Sequence, residues 1–150
     1  MKIGIASDHR GFNLKQEVTK ILKSQGYNII DYGTNSIESV DYPDYSLKLG
    51  LAIKNKEIDY GIIICGTGIG VSIACNKIKG VRCAKVNTLE EIKLSRLHND
   101  ANVLAIYEKM DIETAINFIK IFVETDFSNE ARHLRRLEKI KKIEEAEYEC

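Results

Sequence analysis

Five short runs of β-branched and aliphatic residues dominate the chain: Ile3 to Ala6, Tyr27 to Asp31, Tyr60 to Cys65, Val81 to Val86 and Asn102 to Ile106. Their apolar character is continuous rather than alternating, which marks strands buried on both faces. Between them lie stripes with helical period: Leu14, Val18, Ile21 and Leu22; Tyr45, Leu49, Ala52 and Ile53; Ile112, Ala115, Ile116, Ile119 and Val123. Strands that alternate with helices require a parallel sheet joined by right-handed crossovers. The expected fold is therefore α/β, a doubly wound, Rossmann-like five-stranded parallel sheet with helices on both faces. Ligands of such a sheet bind beyond the carboxyl ends of its strands.

Boundary residues agree with this reading. Gly26 suits a helix end, Pro43 a first helical turn, and Thr88 with Glu91 a capping box opening a helix through Ser95. The 150 residues suffice for one domain spanning 1–150, with no repeat and no low-complexity linker. A last helix is expected from Glu130 to about Glu147. Its few apolar residues, Leu134, Leu137, Ile140 and Ile143, stand among many charges, so it is either a solvated flank or an arm packed on a second subunit.

Lysine plus arginine equals aspartate plus glutamate, 22 of each, so no net field favours nucleic acid or an anionic membrane. No apolar stretch approaches the roughly 20 residues that span a bilayer. Lys2 to Ala6 reads as a strand and not as a signal peptide, and the four cysteines, Cys65, Cys75, Cys83 and Cys150, include no Cys-x-x-Cys. A soluble cytoplasmic protein with reduced thiols is expected.

Chemistry concentrates after the third strand, in Cys65-Gly66-Thr67-Gly68-Ile69-Gly70-Val71-Ser72. Three glycines at alternate positions allow a tight turn and close approach of a ligand, and free N–H groups at a helix start attract an oxyanion. The stretch is no Walker A loop, and it lacks the third glycine of Gly-x-Gly-x-x-Gly. No arginine closes it, which argues against phosphotransfer through the cysteine. Cys65 at a strand end beside a helix start sits where a thiol is drawn toward thiolate, a candidate base or nucleophile; a small buried residue, as expected of Cys75 and Cys83, is the competing reading.

Asp8, His9 and Arg10 converge at another strand's carboxyl end, although Asp8 also suits a helix cap. Histidine in general exchanges protons near neutral pH, so His98, ahead of the fifth strand, is a candidate for protonating a sugar ring oxygen, and a solvated helix-end histidine reads equally well. Arg132 and Arg136 share one helix face at the spacing that grips a phosphate. Three histidines without paired ligand spacing indicate no metal site, and the mechanism is expected to be metal-free with no cofactor.

Together, Ser7-Asp-His-Arg-Gly-Phe12, Asp41-Tyr-Pro-Asp44, Ile64-Cys-Gly-Thr-Gly-Ile-Gly70, Ala74-Cys-Asn-Lys77, Ser95-Arg-Leu-His-Asn-Asp-Ala-Asn-Val-Leu104 and Arg132-His-Leu-Arg-Arg136 resemble the type B ribose-5-phosphate isomerase family, which includes galactose-6-phosphate isomerase subunits. The resemblance implies that Cys65 moves a proton between C1 and C2 of a sugar phosphate. Thr67 and the backbone of Gly66, Gly68 and Gly70 would then hold the cis-enediolate, with His98 assisting ring opening. It assigns hydroxyl contacts to Asp8, Tyr42 and Asn99, and phosphate contacts to His9, Arg132 and Arg136, with Lys109 at a further phosphate position. Members without the cysteine carry a glutamate base where Val71 stands, so this chain falls in the cysteine group.

The resemblance also implies a homodimer, or a dimer of dimers, whose site is shared across subunits. Two departures stand out. Tyr107, Glu108 and Lys109 occupy positions where the family usually has a glycine, a small residue and an arginine; lysine keeps the charge but loses the bidentate fork. Asn87 to Glu91 replaces a frequent tyrosine-serine pair. Interconversion of ribose 5-phosphate and ribulose 5-phosphate is the leading expectation. Isomerisation of allose or galactose 6-phosphate, or sugar-phosphate binding without catalysis, are the alternatives.

Overall fold

The computed structural model describes residues 1–146. Five strands, β1 (Lys2–Ser7), β2 (Asn28–Asp31), β3 (Tyr60–Cys65), β4 (Cys83–Lys85) and β5 (Val103–Tyr107), form one sheet in the order β2-β1-β3-β5-β4. Every pairing is parallel. Six helices accompany them: α1 (Phe12–Ser24), α2 (Tyr42–Lys54), α3 (Ile69–Cys75), α4 (Leu89–Asn99), α5 (Ile112–Glu124) and α6 (Ala131–Glu144).

The alternation of side chains along each strand divides the interior into two cores. Ile3, Ile5, Ile62, Ile64, Leu104 and Ile106 point toward α1 and α5, where they meet Val18, Leu22, Ile119 and Phe122. Ala6, Ile63, Cys65, Val103 and Ala105 point toward α2 and α3, where they meet Leu49, Ala52, Val71 and Cys75. Burial on both faces explains why the strands carry no polar alternation. Cys65 thus belongs to the α2/α3 face, at the last position of β3.

The helix boundaries follow local chemistry. Pro43 lies in the first turn of α2, and Gly26 takes φ +89° just beyond α1. Thr88 and Glu91 form a capping box in which the Thr88 hydroxyl accepts from Glu91 N–H while the Glu91 carboxylate accepts from Thr88 N–H. The helix that it opens continues past Ser95 to Asn99, so it carries His98 in its last turn. β4 is shorter than the expected Val81 to Val86. Val81 closes a turn by donating to the Ile78 carbonyl, and only Cys83 to Lys85 join the ladder at the sheet edge. The final helix ends at Glu144 rather than near Glu147, and residues 147–150, including Cys150, lie outside the described part.

A doubly wound sheet opens its ligand crevice where consecutive crossovers leave in opposite directions. Here that point lies between β1 and β3, whose carboxyl ends are tied by Asp8 N–H donating to the Ile64 carbonyl at 3.2 Å. Among the described residues, no helix is long and apolar enough to cross a membrane.

Candidate active site

The crevice beyond β1, β3 and β5 gathers much of what the sequence singles out. Cys65 is buried, and its Sγ accepts the Gly68 N–H at 3.1 Å, so the loop that opens α3 folds back onto the sulfur. Gly68 takes φ +75°, and a Cβ there would stand 2.8 Å from the Lys85 stem and 3.2 Å from the Ile106 carbonyl carbon. Only glycine fits that backbone and that space. The Thr67 hydroxyl accepts the Ile69 N–H at 3.1 Å, and the Thr67 side chain is otherwise exposed to the crevice mouth. Tyr42 lays its ring on Gly70, where a Cβ would meet it at 2.7 Å.

Asp8 is buried and its Oδ1 accepts from Arg10 N–H at 2.9 Å and Gly11 N–H at 3.0 Å, so it does fix the first turn as a cap would. His9 is half-buried, and its Nδ1 accepts the Val40 N–H at 3.2 Å, which pins the segment before α2. Three residues outside the expected set, Arg10, Glu108 and Lys85, join them. The Arg10 guanidinium lies over Gly66 and pairs with the Glu108 carboxylate, while Glu108 N–H donates to the Cys65 carbonyl at 2.9 Å. This pairing holds the Glu108 carboxyl below the usual carboxylate range, first through the Arg10 hydrogen bond, and raises Arg10 reciprocally. Lys85 faces the same side of the sheet as Cys65, since it pairs with Ala105 and Cys65 pairs with Tyr107. Its ammonium sits 5.5 Å above the Tyr107 ring and donates to Asn87 Oδ1 at 2.7 Å. Lys109 is exposed in the turn after β5.

The remaining candidates lie elsewhere. α4 runs from the carboxyl edge of the sheet to its amino edge, so His98 and Asn99 end up beside the starts of β4 and β5. Arg82 Nε donates to the Asn99 carbonyl at 2.9 Å, and Asn102 N–H donates to the Arg82 carbonyl at the same distance. From the pair Gly61–Val103 to the pair Cys65–Tyr107 the sheet advances four residues, about 13 Å. His98 and Cys65 of one chain therefore cannot touch one sugar. Arg132 and Arg136 stand exposed on α6, Arg132 paired with Glu130 at 3.0 Å. That helix accompanies His98: the His133 ring stacks on the His98 ring, and Ser128 N–H donates to the Leu97 carbonyl.

The crevice thus holds a thiol, a glycine loop and an acid, while an imidazole and two guanidinium groups share the opposite edge. A sequence model of a family described as Ribose/Galactose Isomerase matches residues 3–140. The chain belongs to that family. Among its relatives, ribose-5-phosphate isomerase B of Escherichia coli is 41% identical over 145 residues, covering 96% of this chain and 97% of that one. The solved ribose-5-phosphate isomerase B of Clostridium thermocellum superposes with a TM-score of 0.93 at 46% identity, covering 99% of this chain and 100% of that one. The Mycoplasma genitalium enzyme, solved with bound ribulose-5-phosphate, superposes at 0.87 with 39% identity, covering 96% of each chain. The strand order and helix set described above are those of an established ribose/galactose isomerase fold.

Sequence reasoning named Arg10 as a polar neighbour but gave it no part, and it passed over Lys85. The Arg10–Glu108 contact joins residues 98 apart, so nothing local announces it. For Lys85 a signal existed: a cation at the carboxyl end of a strand otherwise expected to be apolar.

Proposed function

We propose that this chain interconverts ribose 5-phosphate and ribulose 5-phosphate, with Cys65 as the base. The observation that carries the reading is the Cys65 sulfur at the carboxyl end of β3, facing the glycine loop within a ribose/galactose isomerase fold. Relatives named ribose-5-phosphate isomerase B support the choice of substrate.

The chemistry follows from the groups. His98 gives a proton to the ring oxygen as the C1–O bond breaks and the anomeric hydroxyl loses its own, leaving the open aldehyde. The Cys65 thiolate takes the C2 proton, and the electron pair moves into a C1–C2 double bond as O1 becomes an oxyanion. The Thr67 hydroxyl and the loop amides of Gly66, Gly68 and Gly70 hold the cis-enediolate. Transfer of the hydroxyl proton from O2 to O1, with return of the thiol proton to C1, gives the ketose. Asp8, Tyr42 and Asn99 contact hydroxyls; His9, Lys109, Arg132 and Arg136 contact phosphate.

The separation of Cys65 from His98 supports a site made by two copies. One copy supplies Asp8, His9, Tyr42, Cys65 and the loop; its partner supplies His98, Asn99, Arg132 and Arg136. A groove of about 650 Å³ near β4, lined by Val86, Leu94, Ile140 and Ile143 among others, leaves apolar surface available for such a contact. A homodimer, or a pair of dimers, of a single 150-residue domain follows. Its free thiols Cys65, Cys75 and Cys83 suit the reducing cytoplasm.

The test is a coupled assay with ribose 5-phosphate, allose 6-phosphate and galactose 6-phosphate, run alongside Cys65→Ala. Turnover of ribose 5-phosphate that disappears in Cys65→Ala while ligand binding survives is the expected result. Preference for a six-carbon phosphate would contradict the substrate, and undiminished turnover in Cys65→Ala would contradict the base.

A further inference from the structure

His133 is the one buried residue of α6, at 4% exposure, on a helix whose Leu134, Ile140 and Ile143 all face solvent. Its imidazole lies flat against that of His98, with ring centroids 4.2 Å apart and planes inclined by 17°. Its Nε2 is buried and finds no hydrogen-bond partner among the described residues. The first turns of the helix are thus seated on that imidazole, while at its far end the Glu144 carboxylate accepts the Gly80 N–H at 3.1 Å.

We propose that His133 is a positioning residue that fixes the ring of His98 for ring opening. The proposal rests on the assignment of His98 given above and extends it to a neighbour that touches no substrate. His98 lies half-buried in the last turn of α4, where the helix backbone by itself still allows an imidazole more than one rotamer. The stacked ring restricts that choice to one plane. The charged and titratable groups around His133 are His98 from α4, Glu130 at the cap preceding α6, and Arg132 and Arg136 from α6 itself. Burial acts first to keep the ring neutral, and the positive neighbours His98 and Arg132 act in the same sense. An uncharged plate carries no repulsion toward a protonated His98. Arg132 and Arg136 flank His133 by one and three positions, so the turn that would hold the phosphate also holds the His98 ring.

The experiment separates ring opening from proton abstraction. Ribulose 5-phosphate has no ring to open, because its C5 hydroxyl is esterified; deuterium entering its C1 position from D₂O reports Cys65 chemistry alone. Turnover of ribose 5-phosphate requires both steps. His133→Ala is expected to slow ribose 5-phosphate turnover about ten-fold or more while leaving the wash-in rate within about two-fold. His133→Phe, which restores a flat ring, is expected to recover turnover.

Undiminished turnover in His133→Ala, where His98→Asn has lost it, would overturn the proposal alone. Turnover and wash-in that fall together would also overturn it, since general damage to the fold moves both. Undiminished turnover in His98→Asn would overturn the ring-opening assignment and the proposal with it. Should His133→Ala fail to fold, His133→Leu fills the space without a flat face and serves the same comparison with His133→Phe.

Discussion

At the residue scale, the candidate site depends on a few atoms whose places are set by backbone geometry. Gly68 illustrates this: φ +75° and a Cβ position 2.8 Å from the Lys85 stem leave no room for a side chain. Gly68→Ala is expected to cost about 1–3 kcal/mol and to lower turnover, because it displaces the N–H that meets Cys65; thermal unfolding and steady-state kinetics check both. Glu108 gives a pH dependence. Its carboxyl titrates below the usual range because Arg10 bonds the ionised form. The folded chain therefore binds fewer protons there than the unfolded chain does. The resulting stabilisation is full above the ordinary glutamate range and is lost as the pH falls through the lowered value. Solvent screening keeps the effect small. Comparing the thermal midpoint of Glu108→Gln with that of the parent from about pH 7 to about pH 3 should show a gap that closes on acidification.

The same residues show what could be read in advance. Cys65, Thr67 and the three glycines form one continuous stretch, so their spacing alone places them at a strand end. Asp8 and His9 are equally local. The Arg10–Glu108 pair and the Lys85 stem on Gly68 depend on which strands are neighbours, and the order β2-β1-β3-β5-β4 is not written in any single segment.

At the scale of elements, the long apolar strands and the periodic helices were legible because burial on both faces leaves no polar alternation to confuse them. β4 was not legible at its full expected length. Val81 is apolar because a turn buries it, not because it joins the ladder. α4 has a stronger determinant than periodicity, the Thr88–Glu91 capping box. Thr88→Ala is expected to destabilise the protein by about 1 kcal/mol, read from chemical denaturation. At the other end of α4, buried Arg96 donates to the Thr125 and Ala101 carbonyls, to Asp100 and to the Tyr60 hydroxyl. Arg96→Met leaves the Thr125 and Ala101 carbonyls without this donor two residues from His98, while Asp100 keeps Arg82. It should cost about 1–3 kcal/mol and depress ribose 5-phosphate turnover beyond the loss of folded protein.

α6 adds its own pH response. The His133 imidazole titrates below the usual histidine range, first because it is buried and next because His98 lies against it. Folding then disfavours its proton, so stability is full above the ordinary histidine value near 6.5 and declines as the pH falls below it. His133→Phe should flatten that decline between about pH 7.5 and about pH 5.5, as followed by the thermal midpoint.

At the scale of the whole molecule, one geometric fact organises the account: the thiol and the imidazole sit at opposite edges of one sheet. Arg132 and Arg136 stand exposed and away from the crevice, on a helix that buries only His133. α6 and α4 leave apolar residues exposed, Leu94, Leu134, Ile140 and Ile143 among them, and the proposed shared site would place a second copy on this side of the molecule. The most direct measurement is complementation between Cys65→Ala and His98→Asn. Each variant is inactive by itself on ribose 5-phosphate if both groups are needed. In mixed dimers one site carries both lesions and the other carries neither, so equal co-expression should restore about one quarter of the parent activity. Mixed dimers isolated by differential tags that remain inactive would contradict the shared site.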